Sequence, residues 1–276
     1  METSLRERFP RPSVVGVVNV TPDSFSDGGV HLDARAAVAA GRRFAAHGAA
    51  LVDVGGESTR PGSEPIALAE ELRRVLPVLE ALAPELPVSI DTSKSDVARR
   101  ALELGAVMVN DVTALRGDPG LGEVVAESGS FVCLMHMLGE PRTMQDEPRY
   151  DDVVSDVAAF LEERLAYAVG LGIAEELICL DPGIGFGKTV EHNVELLARL
   201  DEIVALGPPV LVGTSRKRFL GRILGDAGAL TGPLPASVAT NVLAYERGAA
   251  LFRVHDVREH VQALAAASAV ERVRTA

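Results

Sequence analysis

The sequence predicts an α/β protein, a single-domain (β/α)8 or TIM barrel, on three observations. Eight short, β-branched apolar runs alternate with longer segments whose apolar residues recur every three or four positions. The runs are continuously apolar, as parallel strands require when helices cover their outer side. The length of 276 residues suits one such barrel, which commonly takes about 250. An open doubly wound sheet is the alternative, but it needs a glycine-rich fingerprint after its first strand. Here that strand leads into Asn19-Val-Thr-Pro-Asp-Ser-Phe-Ser-Asp-Gly-Gly29.

In chain order the expected strands are Val14 to Val18, Leu51 to Val54, Val88 to Ile90, Val107 to Val109, Phe131 to Met135, Leu177 to Leu180, Val210 to Val212 and Leu251 to Val254. Between them Leu68, Leu72, Val75, Leu76, Leu79 and Leu82 draw one helical stripe, and Val153, Val157, Phe160, Leu161 and Leu165 another. Helix starts are expected at Ser93-x-x-Asp96, which has the form of a capping box, and at Asp118-Pro119, a capping carboxylate before a proline. Gly48, Gly105 and Gly172 stand where helices should stop. No linker rich in Gly, Ser or Pro interrupts the series, so residues 1–12 read as an N-terminal tail and 13–276 as one barrel domain.

Composition removes several function classes. Lys and Arg number 27 against 39 Asp and Glu, a net charge of −12, which argues against a nucleic-acid or anionic-membrane surface. Cys133 and Cys179 each lie inside an apolar run, where a thiol packs as a small hydrophobe and no disulfide framework or zinc site is indicated. Glu2, Arg6, Glu7, Arg8 and Arg11 interrupt the first dozen residues, which therefore lack a signal peptide's apolar centre, and no window reaches membrane-spanning length. A cytoplasmic enzyme or binding protein is expected.

Polar residues at the ends of the apolar runs carry the chemistry: Asn19, Asp53, Asp91, Asn110 with Asp111, His136, Asp181, Ser215, and Arg253 with His255. In a barrel all carboxyl ends of the strands share one face, so these residues converge on one pocket. Any single one could merely cap the next helix, but Arg-x-His and several paired carboxylates are poorly explained as caps. The loop from Asp181 to Thr189 misses the phosphate-loop motif, which would need glycine where Pro182 stands. Its glycines instead let backbone approach a flat ligand while presenting Phe186. Paired carboxylates could serve a glycosidase, yet the chain has no Trp and 3 Tyr with which to stack sugars. Ser24, Ser26, Ser58 and Ser215 have no evident adjacent base, and the spacings of His136, His192 and His255 fit no metal site. A metal, if used, would be a hard ion shared with a substrate phosphate.

Seven strings are more specific. Gly16 to Gly29, Asp53-Val-Gly-Gly-Glu-Ser-Thr-Arg-Pro-Gly62, Ser89-Ile-Asp-Thr92, Val109-Asn-Asp111, Asp181 to Lys188, Ser215-Arg-Lys217 and Arg253-Val-His255 resemble the dihydropteroate synthase family, in that family's order and over essentially the whole chain from Val14. The resemblance implies a (β/α)8 barrel that joins 7,8-dihydropterin-6-ylmethyl diphosphate to 4-aminobenzoate, releasing pyrophosphate, by a dissociative displacement with no covalent enzyme intermediate. It implies Mg²⁺ held by Asn19, and a homodimer formed through the last helices.

For the site, the resemblance implies that Asp91, Asn110, Asp181 and Lys217 grip the pterin edge, the carboxylates accepting from its N–H groups. Arg253, His255 and Thr59 belong to the diphosphate, and Lys217, Asp181, Arg253 and His255 form the catalytic set. Phe25, Pro61 and Phe186 would flank the 4-aminobenzoate ring, Arg60 would brace the two closing loops, and Ser215 at a helix start would take the carboxylate. Sulfonamides are possible competitors. One departure stands out: Leu230 to Ala239 carries Pro233 and Pro235 where the family tends to have a small helix start. The rivals are a pterin-binding methyltransferase, which should lack Thr59-Arg60, Ser-Arg-Lys and Arg-x-His, and a catalytically silent paralogue, against which the intact site residues argue.

Overall fold

A computed structural model describes residues 3–21, 30–60 and 62–275 of the chain. Its elements are α1 (Leu5–Arg8), β1 (Ser13–Asn19), α2 (Val30–Ala46), β2 (Leu51–Gly55), α3 (Leu68–Leu82), β3 (Val88–Asp91), α4 (Ser95–Glu103), β4 (Met108–Asp111), α5 (Leu121–Ser128), β5 (Phe131–Met135), α6 (Val153–Gly170), β6 (Ile178–Asp181), α7 (Val190–Ala198), α8 (Leu200–Val204), β7 (Leu211–Val212), α9 (Arg218–Ile223), α10 (Leu234–Glu246), β8 (Leu251–Val254) and α11 (Val257–Thr275). The strands are all parallel and run β6-β5-β4-β3-β2-β1-β8-β7 around one sheet. A bridge from Leu180 to Val210 joins β6 to β7 and closes the barrel. All eight expected strands are present, several extending toward the carboxyl end to take in Asn19, Gly55, Asp91, Asp111 and Asp181.

Strand side chains alternate between two faces. Val14, Val52, Val54, Val88, Ile90, Val109, Val132, Leu134, Ile178, Leu180, Val212 and Phe252 point outward into the layer shared with the helices. The inward positions change character along each strand. At the amino end Val15, Leu51, Met108, Cys133, Cys179, Leu211 and Leu251 form a separate apolar cluster. One turn of pleat further, β2, β3 and β4 carry Asp53, Ser89 and Asn110, all buried. The apolar cluster is capped from below by Leu5 and Phe9, contributed by α1 and the residue after it.

In α3 the stripe is Glu71, Val75, Val78, Leu79 and Leu82, with Leu68 at the exposed start. Both proposed caps are corrected. Helix α4 begins at Ser95 with Lys94 in the cap position and no side-chain cap of its own. Its first N–H, that of Ser95, donates to Asp118 Oδ2 at 2.8 Å, so the cap comes from the loop after β4. The other oxygen of Asp118 accepts from Gly120 N, which precedes α5. Gly48, Gly105 and Gly172 do stand just past helix ends, each two residues beyond the last helical residue and each with positive φ. The Pro233 and Pro235 departure is itself a helix start: α10 begins at Leu234 with proline in its first turn, where the missing N–H would lack a partner in any case. Among the described residues no helix is long and apolar enough to cross a membrane.

Candidate active site

At the carboxyl end of the barrel one pocket is lined by Thr59, Asp91, Asn110, Asp181, Phe186, Ser215, Lys217, Arg253 and His255, together with Val112, Met135 and Gly213. Nine of the thirteen residues expected from sequence therefore meet there. Asn19 and Arg60 line an adjoining recess, which shares His255 with the pocket. Phe25 and Pro61 lie outside the described residues.

Behind the pocket-lining Asn110 and Arg253 lies a residue that the sequence marks at a strand end but does not carry into the site. Asp53, 1% exposed, accepts from Ser89 Oγ at 2.6 Å, Asn110 Nδ2 at 3.1 Å and Arg253 Nε at 2.6 Å. The bond from Asn110 commits its amide N–H₂ to Asp53 and turns its carbonyl oxygen to other partners. The second guanidinium nitrogen of Arg253 donates to Asp91 Oδ2 at 2.6 Å. Two buried carboxylates thus share one cation, as charge removed from water demands. Burial nevertheless pushes Asp91 up to about 7, the pull of Arg253 opposed by the neighbouring charge of Asp53. The signal that could have placed Asp53 is phase: it pairs with Ser89 in the β2–β3 register and precedes Gly55, the partner of Asp91, by one inward step.

Across the pocket Asp181 Oδ1 accepts from Gly183 N at 2.7 Å. Burial raises its pKa while Lys217 draws it back. Lys217 is held by the carbonyl of Ile184, and its ammonium lies 4.7 Å from the centroid of the Phe186 ring. Burial lowers this lysine to about 8, opposed by Asp181. His255 is driven down to about 3, first by burial and then by Arg253 and Arg216, so at neutral pH it is an uncharged imidazole rather than a cation. Its Nδ1 lies 3.2 Å from Ser215 Oγ.

Ser215 is not at a helix start. Arg216, next in the chain, has a φ of 58°, and Lys217 occupies the cap position of α9. The hydroxyl instead accepts from His255 N at 3.1 Å, tying β8 to the loop after β7. The loop after β2, which carries Thr59, is anchored by a charge cluster the sequence does not reveal: Lys94 Nζ meets Glu57 at 2.5 Å and the buried Glu71 at 2.6 Å, and Thr92 Oγ1 donates to Glu71. A second missed group lies behind the Asp181 loop, where buried Lys188 places Nζ 2.8 Å from His136 Nδ1.

Residues 15–255 match the family described as pterin binding enzyme. The chain is 48% identical over 257 residues to the dihydropteroate synthase of Escherichia coli K12, covering 92% of this chain and 89% of that one. Among solved structures, Xanthomonas albilineans dihydropteroate synthase with 4-aminobenzoic acid is 50% identical with a TM-score of 0.87, covering 95% of this chain and 94% of that one. The Yersinia pestis dihydropteroate synthase in complex with a sulfonamide drug is 44% identical, also with a TM-score of 0.87, covering 95% of each chain.

Proposed function

The chain belongs to the pterin-binding enzyme family, among its dihydropteroate synthases, and from that premise we propose how its residues divide the work. The reaction is transfer of the pterin-methyl group of 7,8-dihydropterin-6-ylmethyl diphosphate to the amine of 4-aminobenzoate, which gives 7,8-dihydropteroate and pyrophosphate in folate synthesis. The observation that carries the division of roles is the convergence of Asp91, Asn110, Asp181 and Lys217 on one pocket beside Arg253 and His255.

Asp91 and Asp181 accept from the N–H-rich edge of the pterin, Asn110 accepts through its free carbonyl, and Lys217 donates to a ring acceptor. A pterin that takes over Asp91 leaves Arg253 anchored by Asp53 alone, with guanidinium donors released toward the diphosphate. His255 and Thr59 add neutral donors on the same side. Departure of the diphosphate is eased because those donors already point to where its charge grows. The C–O bond breaks ahead of attack and its electron pair leaves with the pyrophosphate, the electron-rich pterin shares the positive charge on its methylene, and the amine of 4-aminobenzoate then bonds to that carbon and sheds one N–H proton. No side chain forms a covalent intermediate. Phe186, with Phe25 and Pro61, flanks the aromatic ring, Ser215 receives its carboxylate, and Arg60 braces the loops. Sulfonamides compete for that ring site.

Mg²⁺ belongs to the same reading. Asn19 ends β1 at the recess that Arg60 and His255 also line, and its one amide oxygen would hold a hard ion only together with phosphate and water ligands, the arginines of that recess serving the same phosphate. When bound, the ion neutralises charge on the leaving diphosphate. Residues 13–276 act as one domain. The pterin diphosphate is multiply charged and does not cross a bilayer unaided, which favours a cytoplasmic place of action. The exposed Leu243 of α10 and Val270 and Val273 of α11 offer apolar surface on the last helices for a homodimer.

The test is turnover. With the pterin diphosphate, Mg²⁺ and 4-aminobenzoate, 7,8-dihydropteroate and pyrophosphate form in equal amounts, and Asp91→Asn loses measurable pterin binding with the fold intact by circular dichroism. Absence of product from the parent chain, or undiminished pterin affinity in Asp91→Asn, defeats the reading.

A further inference from the structure

Four successive carbonyl groups in the loop after β6 each accept a hydrogen bond from a different side chain. Ile184 O is met by Lys217 Nζ, Gly185 O by Gln145 Nε2 at 2.8 Å, Phe186 O by Lys188 Nζ at 3.1 Å, and Gly187 O by Tyr150 Oη at 2.7 Å. The N–H of Gly185 donates to Asn193 Oδ1 at 2.6 Å. Loop backbone ordinarily leaves such groups to water. The same loop is pressed onto the segment after β5: a Cβ on Gly183 would fall 1.8 Å from His136 O, and one on Gly187 would fall 2.7 Å from Leu138 Cβ. Lys188 completes the attachment, because its amine also reaches His136 Nδ1.

Gln145, Tyr150 and Lys188 are not among the residues lining the pocket. They fix Phe186, the one side chain of residues 184–187 that does line it. A loop with glycine at 183, 185 and 187, all at positive φ, has much backbone freedom to lose. Tethered carbonyls remove that freedom before a ligand arrives, so binding does not carry the ordering cost. Of the pterin-edge groups, Asp91 and Asn110 sit on β3 and β4 and Asp181 ends β6, while Lys217 meets the loop at Ile184 O, a carbonyl that none of Gln145, Tyr150 and Lys188 holds.

We infer that Gln145, Tyr150 and Lys188 are positioning residues for the aromatic-amine half of the reaction, holding the carbonyls of residues 185–187 so that the Phe186 ring is set for 4-aminobenzoate. The inference rests on the role given to Phe186 above. Tyr150→Phe and Gln145→Ala each delete one donor without entering the pocket, and Lys188→Met deletes the third. Loss of one such bond raises the KM for 4-aminobenzoate about threefold to tenfold, while the KM for the pterin diphosphate stays within about twofold of the parent value. A purely structural role lowers the melting temperature without this split. Should Lys188→Met fail to fold, the other two variants decide. Equal rises in both KM values, or unchanged values in Tyr150→Phe and Gln145→Ala, overturn the inference alone, the parent still turning over. A parent chain without turnover overturns the underlying reading and this inference with it.

Discussion

Two groups in the pocket titrate close to neutrality from opposite directions, and their order sets when a pterin can be gripped. Asp91 is raised by burial to about 7 and must be ionised to accept from the pterin edge. Lys217 is lowered by burial to about 8 and must keep its proton to act as an ammonium donor. The pair is therefore competent only in a narrow window, and kcat/KM for the pterin diphosphate, which reports the free enzyme, is expected to trace a bell with limbs near pH 7 and 8. Those limbs belong to the coupled cluster rather than to either residue alone. A flat profile from about pH 6 to 9 contradicts this assignment of protonation states. On stability the signs are opposite. A raised Asp91 lets stability fall as pH climbs from its ordinary 3.8 toward 7, and a lowered Lys217 lets it rise between 8 and 10.5. The identities of Asp91, Asn110, Asp181, Lys217, Arg253 and His255 are legible from motifs, because each motif names residue types. Their protonation is not. That His255 is a neutral imidazole depends first on its burial and then on Arg253 and Arg216 coming close to it, and no spacing in the chain encodes this.

At the scale of elements, every strand is legible as a short, continuously apolar run, because helices bury its outer face and the barrel interior buries much of its inner one. Helix caps are less legible, since a cap need not be local. Asp118 shows why: one oxygen serves Ser95 N at the head of α4 and the other Gly120 N before α5, and its carboxyl is held below the usual range chiefly by the bond to Ser95. One side chain thereby fastens the starts of two neighbouring βα units. Asp118→Ala is expected to lower unfolding stability by about 1–2 kcal/mol, the upper part of the range for loss of a single cap, and to leave both KM values in place because neither helix start lines the pocket. A urea midpoint indistinguishable from the parent's would show that water replaces the carboxylate at no cost. In the loop after β6, sequence alone marks glycines that let backbone approach a ligand. The structure adds why those glycines tolerate so rigid a path: Gly183 packs directly on His136 O, which leaves no room for a side chain.

The whole molecule divides the barrel axis between two tasks. The carboxyl end is polar and holds the pocket, while the amino end is filled by the inward apolar cluster and closed by Leu5 and Phe9. Closure of eight units is legible from length and repetition. The plug is not, because a four-residue helix carries too short a period to stand out, and the charges among residues 2–11 mask its two apolar anchors. Phe9 is 2% exposed and meets Phe131 edge-on at 5.7 Å between centroids. It rests on side chains from strands around the barrel, so Phe9→Ala opens a cavity where no single neighbour can collapse into it. The expected loss is about 3–5 kcal/mol, or about 10 °C in melting temperature for a domain of this size. Because the cavity lies at the pole opposite Asp181 and His255, the folded fraction should retain parental KM values for both substrates. A melting temperature within about 2 °C of the parent would mean that the plug is not part of the cooperative unit. A marked rise in either KM would mean instead that strain at the closed end travels up the strands, and that packing below the floor helps to set the distance between Asp53 and Arg253.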